Sequence, residues 1–159
     1  MYLQLLFIQM KIEEVIKATG KMEESTKTII NIMYSSRYIE DKVTSMLKQY
    51  DLTSQQYNVL RILRGQKSQP ANLSTLQDRM IDKSSNTTRL VDKLLNKGLA
   101  ERHVCEQNRR KIEIFITENG LHLLKNIDPN IKKLNKELVK NLSTKQMEEL
   151  NDLLDTIRT

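Results

Sequence analysis

The sequence predicts a mainly α-helical chain carrying one small β-hairpin, and three observations support this. First, four glycines and two prolines in 159 residues leave long stretches free of helix breakers. Second, a Ser or Thr stands three residues before a Gln at Thr53–Gln56, Ser74–Gln77 and Ser143–Gln146. In that pattern the hydroxyl and the amide reciprocally satisfy the orphan N–H groups of a helix start. Third, the apolar period changes once, to two, over Lys111–Thr117, where Ile112, Ile114 and Ile116 share one side of a strand.

The elements follow in order. Ile32, Ile39, Val43, Met46 and Tyr50 line one side of a long helix expected over about Ser25–Gln49. The Thr53 box opens a second helix with Tyr57, Leu60 and Leu63 inward, ending near Gly65; residues 66–70 form a loop. The Ser74 box opens a short helix, Thr75–Ile81, with Leu76 and Met80 inward. A further helix over Ser85–Lys97, with Ser84 as its cap, stops at Gly98, which enters the left-handed region without a Cβ penalty. Leu99–Val104 then pairs with Lys111–Thr117 as a hairpin tipped by residues 105–110. Thr117 caps a long helix to about Asn141, with a kink expected near Asp128 because Pro129 lacks an N–H. The Ser143 box opens the last helix, which carries Met147, Leu150, Leu154 and Ile157.

With no Trp, two Phe and five Tyr, the core must come from Leu, Ile, Val and Met. A hydrophobic content of 38% is lean for a chain that folds alone and fits one that completes its burial by pairing. Lys and Arg outnumber Asp and Glu by 26 to 20, for a net charge of +6 and a pI near 9.4. That surplus fits a polyanionic partner but does not select one. The single cysteine, Cys105, excludes an internal disulfide and suits a reducing, cytoplasmic setting. The apolar run Met1–Met10 has no basic flank or small-residue cleavage site and ends at Lys11, short of the roughly 20 residues a membrane span needs. Two readings of it stand: an arm that packs on a partner chain, or a start placed too early, with Met10 and Met22 as alternatives.

Residues 74–97 have the form of a support helix, a tight turn and a recognition helix. With Thr87, Leu90, Val91 and Leu94 inward at about 100° per residue, Ser85 and Arg89 centre the outer face, flanked by Asn86 and Thr88. Such side chains suit base edges in a major groove, Arg for guanine and Asn for adenine. Lys83 and Lys93 are placed for phosphates. An amphipathic helix with an ordinary solvated face would show the same pattern. The hairpin tip shifts the balance, because Asn108 is followed by three consecutive cations, Arg109, Arg110 and Lys111, which suit a minor groove. The alternative for the tip is a solvated basic turn.

Three stretches, Asp92–Arg102, Asn108–Ile112 and Ile116–Gly120, resemble the MarR family of winged helix-turn-helix transcriptional regulators, as do the starts at Leu52–Thr53 and Leu142–Ser143. The resemblance spans about residues 25–158. It implies a homodimer joined through its N- and C-terminal helices, a palindromic double-stranded DNA operator, and control by a small phenolic or lipophilic effector lodged between the dimer helices and the DNA-binding lobe. It also implies that Ser85, Asn86, Thr88 and Arg89 read the major groove and that Arg109 or Arg110 enters the minor groove; Ser84 on the recognition-helix side, and Asn108 and Lys111 at the wing, complete the DNA-contacting residues expected. The family's wing usually has Asp where this chain has Asn108, which offers only a neutral hydrogen bond to an Arg.

The resulting expectation is a winged helix-turn-helix at residues 71–117 within a DNA-binding lobe at 51–117. Dimerisation helices are expected at 25–50 and 118–159, after an N-terminal arm at 1–24. The function expected is that of a repressor; the alternative is a protein-interaction module using the helical surface on a winged-helix scaffold. Cys105 is either a redox-active thiol at the wing or an incidental one. His103 and Cys105 do not make a metal site, no Gly-rich phosphate loop is present, and neither a cofactor nor enzymatic chemistry is expected.

Overall fold

The computed structural model describes residues 10–105, 108 and 112–159. The chain divides into two compact units, 1–41 and 42–159. In the first unit, a short helix α1 (Ile12–Val15) precedes the long helix α2 (Glu24–Leu47), whose last residues belong to the second unit. Lys27 pairs with Glu13 at 2.7 Å. That bond holds the Glu13 carboxyl below its ordinary range and raises the Lys27 ammonium above its own. Along α2, Ile29, Met33, Tyr34, Tyr38 and Ile39 remain exposed, Met33 at 67%.

In the second unit the end of α2 is anchored by Leu47, which is fully buried. One 3-10 turn (Lys48–Tyr50) and Asp51 at φ 52° then redirect the chain into α3 (Ser54–Gly65). The Thr53–Gln56 box forms as expected, with both reciprocal bonds present. The Ser74–Gln77 box does not form. Helix α4 (Leu73–Arg79) starts two residues earlier, capped by Asn72, whose Oδ1 accepts the Thr75 N–H at 2.8 Å and the Ser74 hydroxyl at 2.6 Å. The earlier start puts Leu73 and Leu76, three apart, against the core together.

Helix α5 (Thr87–Asn96), by contrast, starts two residues later than predicted, with Asn86 rather than Ser84 as its cap. It stops where expected, at Gly98 with φ 65°. Strands β1 (Ala100–Val104) and β2 (Ile112–Ile116) pair antiparallel from Ala100↔Ile116 to Val104↔Ile112. The other edge of β2 is also occupied, because Ala71 exchanges both backbone hydrogen bonds with Ile114, at 2.9 and 2.8 Å. This third piece of backbone ties the approach to α4 to the base of the hairpin.

Helix α6 (Glu118–Leu138) is capped by Thr117, as predicted, and continues through Pro129, where the Lys125 carbonyl loses its intrahelical partner. The Thr117 hydroxyl also donates to the Gly98 carbonyl at 2.7 Å, pinning the end of the hairpin to the stop of α5. Helix α7 (Thr144–Thr156) opens on the Ser143–Gln146 box and buries no residue; Leu150, Leu153 and Ile157 are exposed, Leu153 at 64%. The core lies where α3, α4, α5, β2 and α6 meet, around Leu60, Leu76, Val91, Leu94, Ile114 and Leu124.

Gly120 marks the closest approach in this core. A Cβ there would overlap the Leu99 carbonyl oxygen and stand 2.7 Å from Ile116 Cγ1. Gly→Ala inside a helix normally stabilises by about 1 kcal/mol. Here the overlap involves backbone, so Gly120→Ala is expected to destabilise instead, by about 1–3 kcal/mol. Thermal unfolding of the variant checks this; an unchanged or raised melting temperature would refute the close packing of α6 on the hairpin base.

Candidate nucleic-acid interface

The turn between α4 and α5 is held from several directions. Met80 is buried, and the next residue, Ile81, donates its N–H to Asn58 Oδ1 of α3 at 2.9 Å. The Asp82 carboxylate gathers the two serines that follow. Its Oδ1 accepts the Ser84 N–H at 3.0 Å and the Ser84 hydroxyl at 2.6 Å, and its Oδ2 accepts the Ser85 hydroxyl at 2.9 Å. These bonds, Ser84's first and then Ser85's, hold the carboxyl below its ordinary range. The arrangement is therefore complete at neutral pH and is released only as pH falls through that lowered value.

Two side chains tie α4 to the turn that follows it, and one of them reaches α5. Gln77 donates from Nε2 to the Lys83 carbonyl at 2.6 Å, and its Oε1 accepts the hydroxyl of Thr87, the first residue of α5. The Lys83 ammonium donates back to the carbonyls of Gln77 and Asp78, capping the C-terminal end of α4. Lys83, read from sequence as a phosphate ligand, thus has two donors engaged within the protein.

The face of α5 is divided as the spacing predicts. Thr87, Val91 and Leu94 are buried, while Thr88, Arg89, Asp92, Lys93, Asn96 and Lys97 are exposed. Asn86 accepts the Arg89 N–H at 3.0 Å, so it serves as the cap and lies outside the helical face assigned to it. Ser84 and Ser85 likewise precede the helix. The first turn of α5 holds no acid and one arginine, the opposite of what a helix N-terminus favours by itself. A polyanion at that end would relieve the conflict.

Salt bridges set the charge around this face. Asp92 is paired with Arg102 of β1 at 2.7 Å, which ties α5 to the hairpin. Lys97 is paired with Asp51 at 2.7 Å. Lys93 lies beside an open groove of about 510 Å³ that Lys48, Asp51, Gln56, Asn96 and Lys97 also line.

At the wing, Asn108 is exposed and its N–H donates to the Cys105 carbonyl at 3.1 Å. Arg109, Arg110 and Lys111, the predicted minor-groove cations, lie outside the described residues. Cys105 is half-buried at the end of β1. Nearby, the His103 ring stands edge-on to Phe115 at 5.6 Å. Among the described residues no group of three metal-ligating side chains occurs, and no helix is long and apolar enough to cross a membrane.

Sequence reasoning missed Asn58, Asp82, Arg102 and the Arg64–Asp128 pair, and gave Gln77 another role, in the Ser74 box that does not form. In that pair the guanidinium of α3 binds the carboxylate of α6 bidentately, at 2.7 and 3.1 Å, and is itself raised in pKa by the bond. Only Asp82 left a readable signal, because an Asp two and three residues before serines favours local side-chain turns.

Comparison with known proteins agrees with this arrangement. The MarR family profile matches residues 52–112, from the turn before α3 into β2. The HTH-type transcriptional regulator MhqR of Bacillus subtilis is 29% identical over 135 residues, covering 85% of this chain and 92% of MhqR. Over these residues the chain resembles the MarR family. Two further relatives are HTH-type transcriptional regulators named SarZ. That of Staphylococcus haemolyticus is 26% identical over 124 residues, 78% of this chain and 80% of SarZ. That of Staphylococcus aureus is 35% identical over 86 residues, 54% of this chain and 57% of SarZ.

Solved MarR structures share the fold. A MarR-like regulator from Bacillus cereus superposes with a TM-score of 0.76 at 21% identity, covering 84% of this chain and 95% of that one. A MarR transcription factor from Planctomyces limnophilus gives 0.67 at 25% identity, covering 86% and 99%. A cysteine-to-serine variant of Escherichia coli MarR, solved in complex with operator DNA, gives 0.71 at 22% identity, covering 79% and 89%. The chain thus shares the winged-helix fold of solved MarR-type regulators.

Proposed function

We propose that the chain represses transcription by binding a palindromic operator as a homodimer, and that a small phenolic or otherwise lipophilic effector releases it. The observation that carries the DNA reading is the exposed N-terminal face of α5, which is polar and cationic while its opposite side is buried. In this reading Arg89 and Thr88 face base edges, and Asn86 offers its amide N–H groups because its oxygen holds the helix cap. Ser84 and Ser85 donate to Asp82, so toward DNA their hydroxyls serve as acceptors, suited to base amino groups rather than phosphates. Lys93 and the third donor of Lys83 take phosphates. Asn108, Arg109, Arg110 and Lys111 take the minor groove, a role resting on sequence alone.

The homodimer is supported by the exposed apolar side chains of α2 and α7, a pattern that a second copy would cover. Residues 25–50 and 118–159 are then the dimerising parts and 51–117 the DNA-binding lobe. Two recognition helices spaced by the dimer at about 34–36 Å would meet successive major grooves on one side of the duplex. An effector that favours another spacing would weaken binding by its differential affinity for the two arrangements.

The test is a gel shift with the DNA upstream of the chain's own gene. A shift that resists competitor DNA and weakens with salt is expected, and graded release by added phenols should follow. Absence of any competitor-resistant shift at moderate ionic strength would refute the DNA reading. A shift indifferent to every phenol and every other small lipophilic compound tried would refute the effector class.

A further inference from the structure

We infer that Gln77 is a positioning residue that fixes the seating of the recognition helix, and so governs sequence discrimination without itself meeting the bases. The inference rests on the DNA-binding reading above.

Gln77 lies on α4 and is half-buried. Its amide joins three pieces of chain: the body of α4, the turn through the Lys83 carbonyl at 2.6 Å, and α5 through the Thr87 hydroxyl. Thr87 is 5% exposed and is the first residue of α5. Elsewhere α4 and α5 meet the core through apolar side chains such as Leu76, Met80, Val91 and Leu94. Apolar burial holds helices together but is non-directional, so it resists rotation of α5 about its own axis only weakly. A hydrogen bond to the first residue of α5 resists that rotation directly.

Rotation matters differently for the two kinds of DNA contact. A bidentate bond from Arg89 to a base edge requires placement within roughly 0.5 Å and 10–20°. Phosphate attraction is long-ranged and tolerates such movement. Loosening the Gln77 joint should therefore lower preference for the operator while leaving general DNA affinity in place. Asn72's capture of the α4 cap is what frees Gln77 for this work, because in the unformed box its amide would have turned back on Ser74.

The experiment compares the full-length chain with Gln77→Leu and with Gln77→Leu/Thr87→Val. Fluorescence anisotropy measures binding to the upstream operator duplex and to a scrambled duplex of equal length, and thermal unfolding is followed in parallel. Gln77→Leu leaves the Thr87 hydroxyl buried without its partner, so its melting temperature should fall. The double variant removes both groups and should recover much of that loss. Both variants should lose about tenfold or more in the ratio of operator to scrambled affinity. Recovery of melting temperature without recovery of the ratio is the signature of positioning.

Three results would overturn the inference: an unchanged ratio in both variants, parallel loss of operator and scrambled affinity, or a ratio that recovers with stability. Should Gln77→Leu fail to fold, the double variant decides by its ratio alone. A parent chain with no preference for the operator would instead overturn the DNA reading, and this inference with it.

Discussion

Arg89→Ala is expected to lower operator affinity by about 1–3 kcal/mol, roughly 5- to 150-fold, with a much smaller effect on scrambled DNA. The reason is the placement of Arg89 as the third residue of α5. Its N–H is held by Asn86, its side chain is exposed, and no acidic residue shares the first turn. Lys93 stands one helical turn further along the same exposed side. Its contact would be to phosphate, so Lys93→Ala is expected to weaken operator and scrambled DNA alike and to flatten the dependence of log K on log salt by about one unit. Titrations of both variants at several salt concentrations make the comparison. Identical behaviour of the two would show that the groove-facing side of α5 has been assigned incorrectly.

Leu153→Glu should separate self-association from folding. Leu153 is exposed in the single chain, so a carboxylate there disturbs no internal packing. In the proposed dimer the same position would bury an uncompensated charge, which is costly. Sedimentation equilibrium is expected to show the parent as a dimer and the variant as a monomer at the same concentration. Loss of the second recognition helix should reduce affinity for a full palindrome by about 10²- to 10⁴-fold, while affinity for an isolated half-site changes little. A variant that stays dimeric and keeps its operator affinity would place the interface elsewhere.

Most of the fold was legible because its signals are local. Two of the three capping boxes, the Gly98 stop, the Thr117 cap and the period-two run of isoleucines each depend on residues within a few positions of one another. The inward face of α5 followed from helical periodicity alone. The failures cluster at the two helix starts nearest the proposed DNA surface. At each, two polar residues two positions apart compete for one cap, and the winner is set by what the rest of the segment must bury or bind. Asn72 prevails over Ser74 because the earlier start brings Leu73 to the core. Asn86 serves in place of Ser84 because Asp82 holds both serines.

By itself, the sequence determined the fold class of this protein: mainly helical, with one basic-tipped hairpin and a helix, α5, whose outer face is polar. These follow from spacing, since a period of 3.6 or 2 decides which side of a backbone is buried. Only the tertiary structure decided which polar groups remain free for a partner. The engagement of Lys83 with the end of α4, the neutralisation of Asp92 by Arg102, and the Gln77 link between two helices join residues whose neighbourhood is created by packing. Hydrogen bonds and salt bridges are short-ranged and directional, so their partners are chosen after the apolar core has brought the elements together.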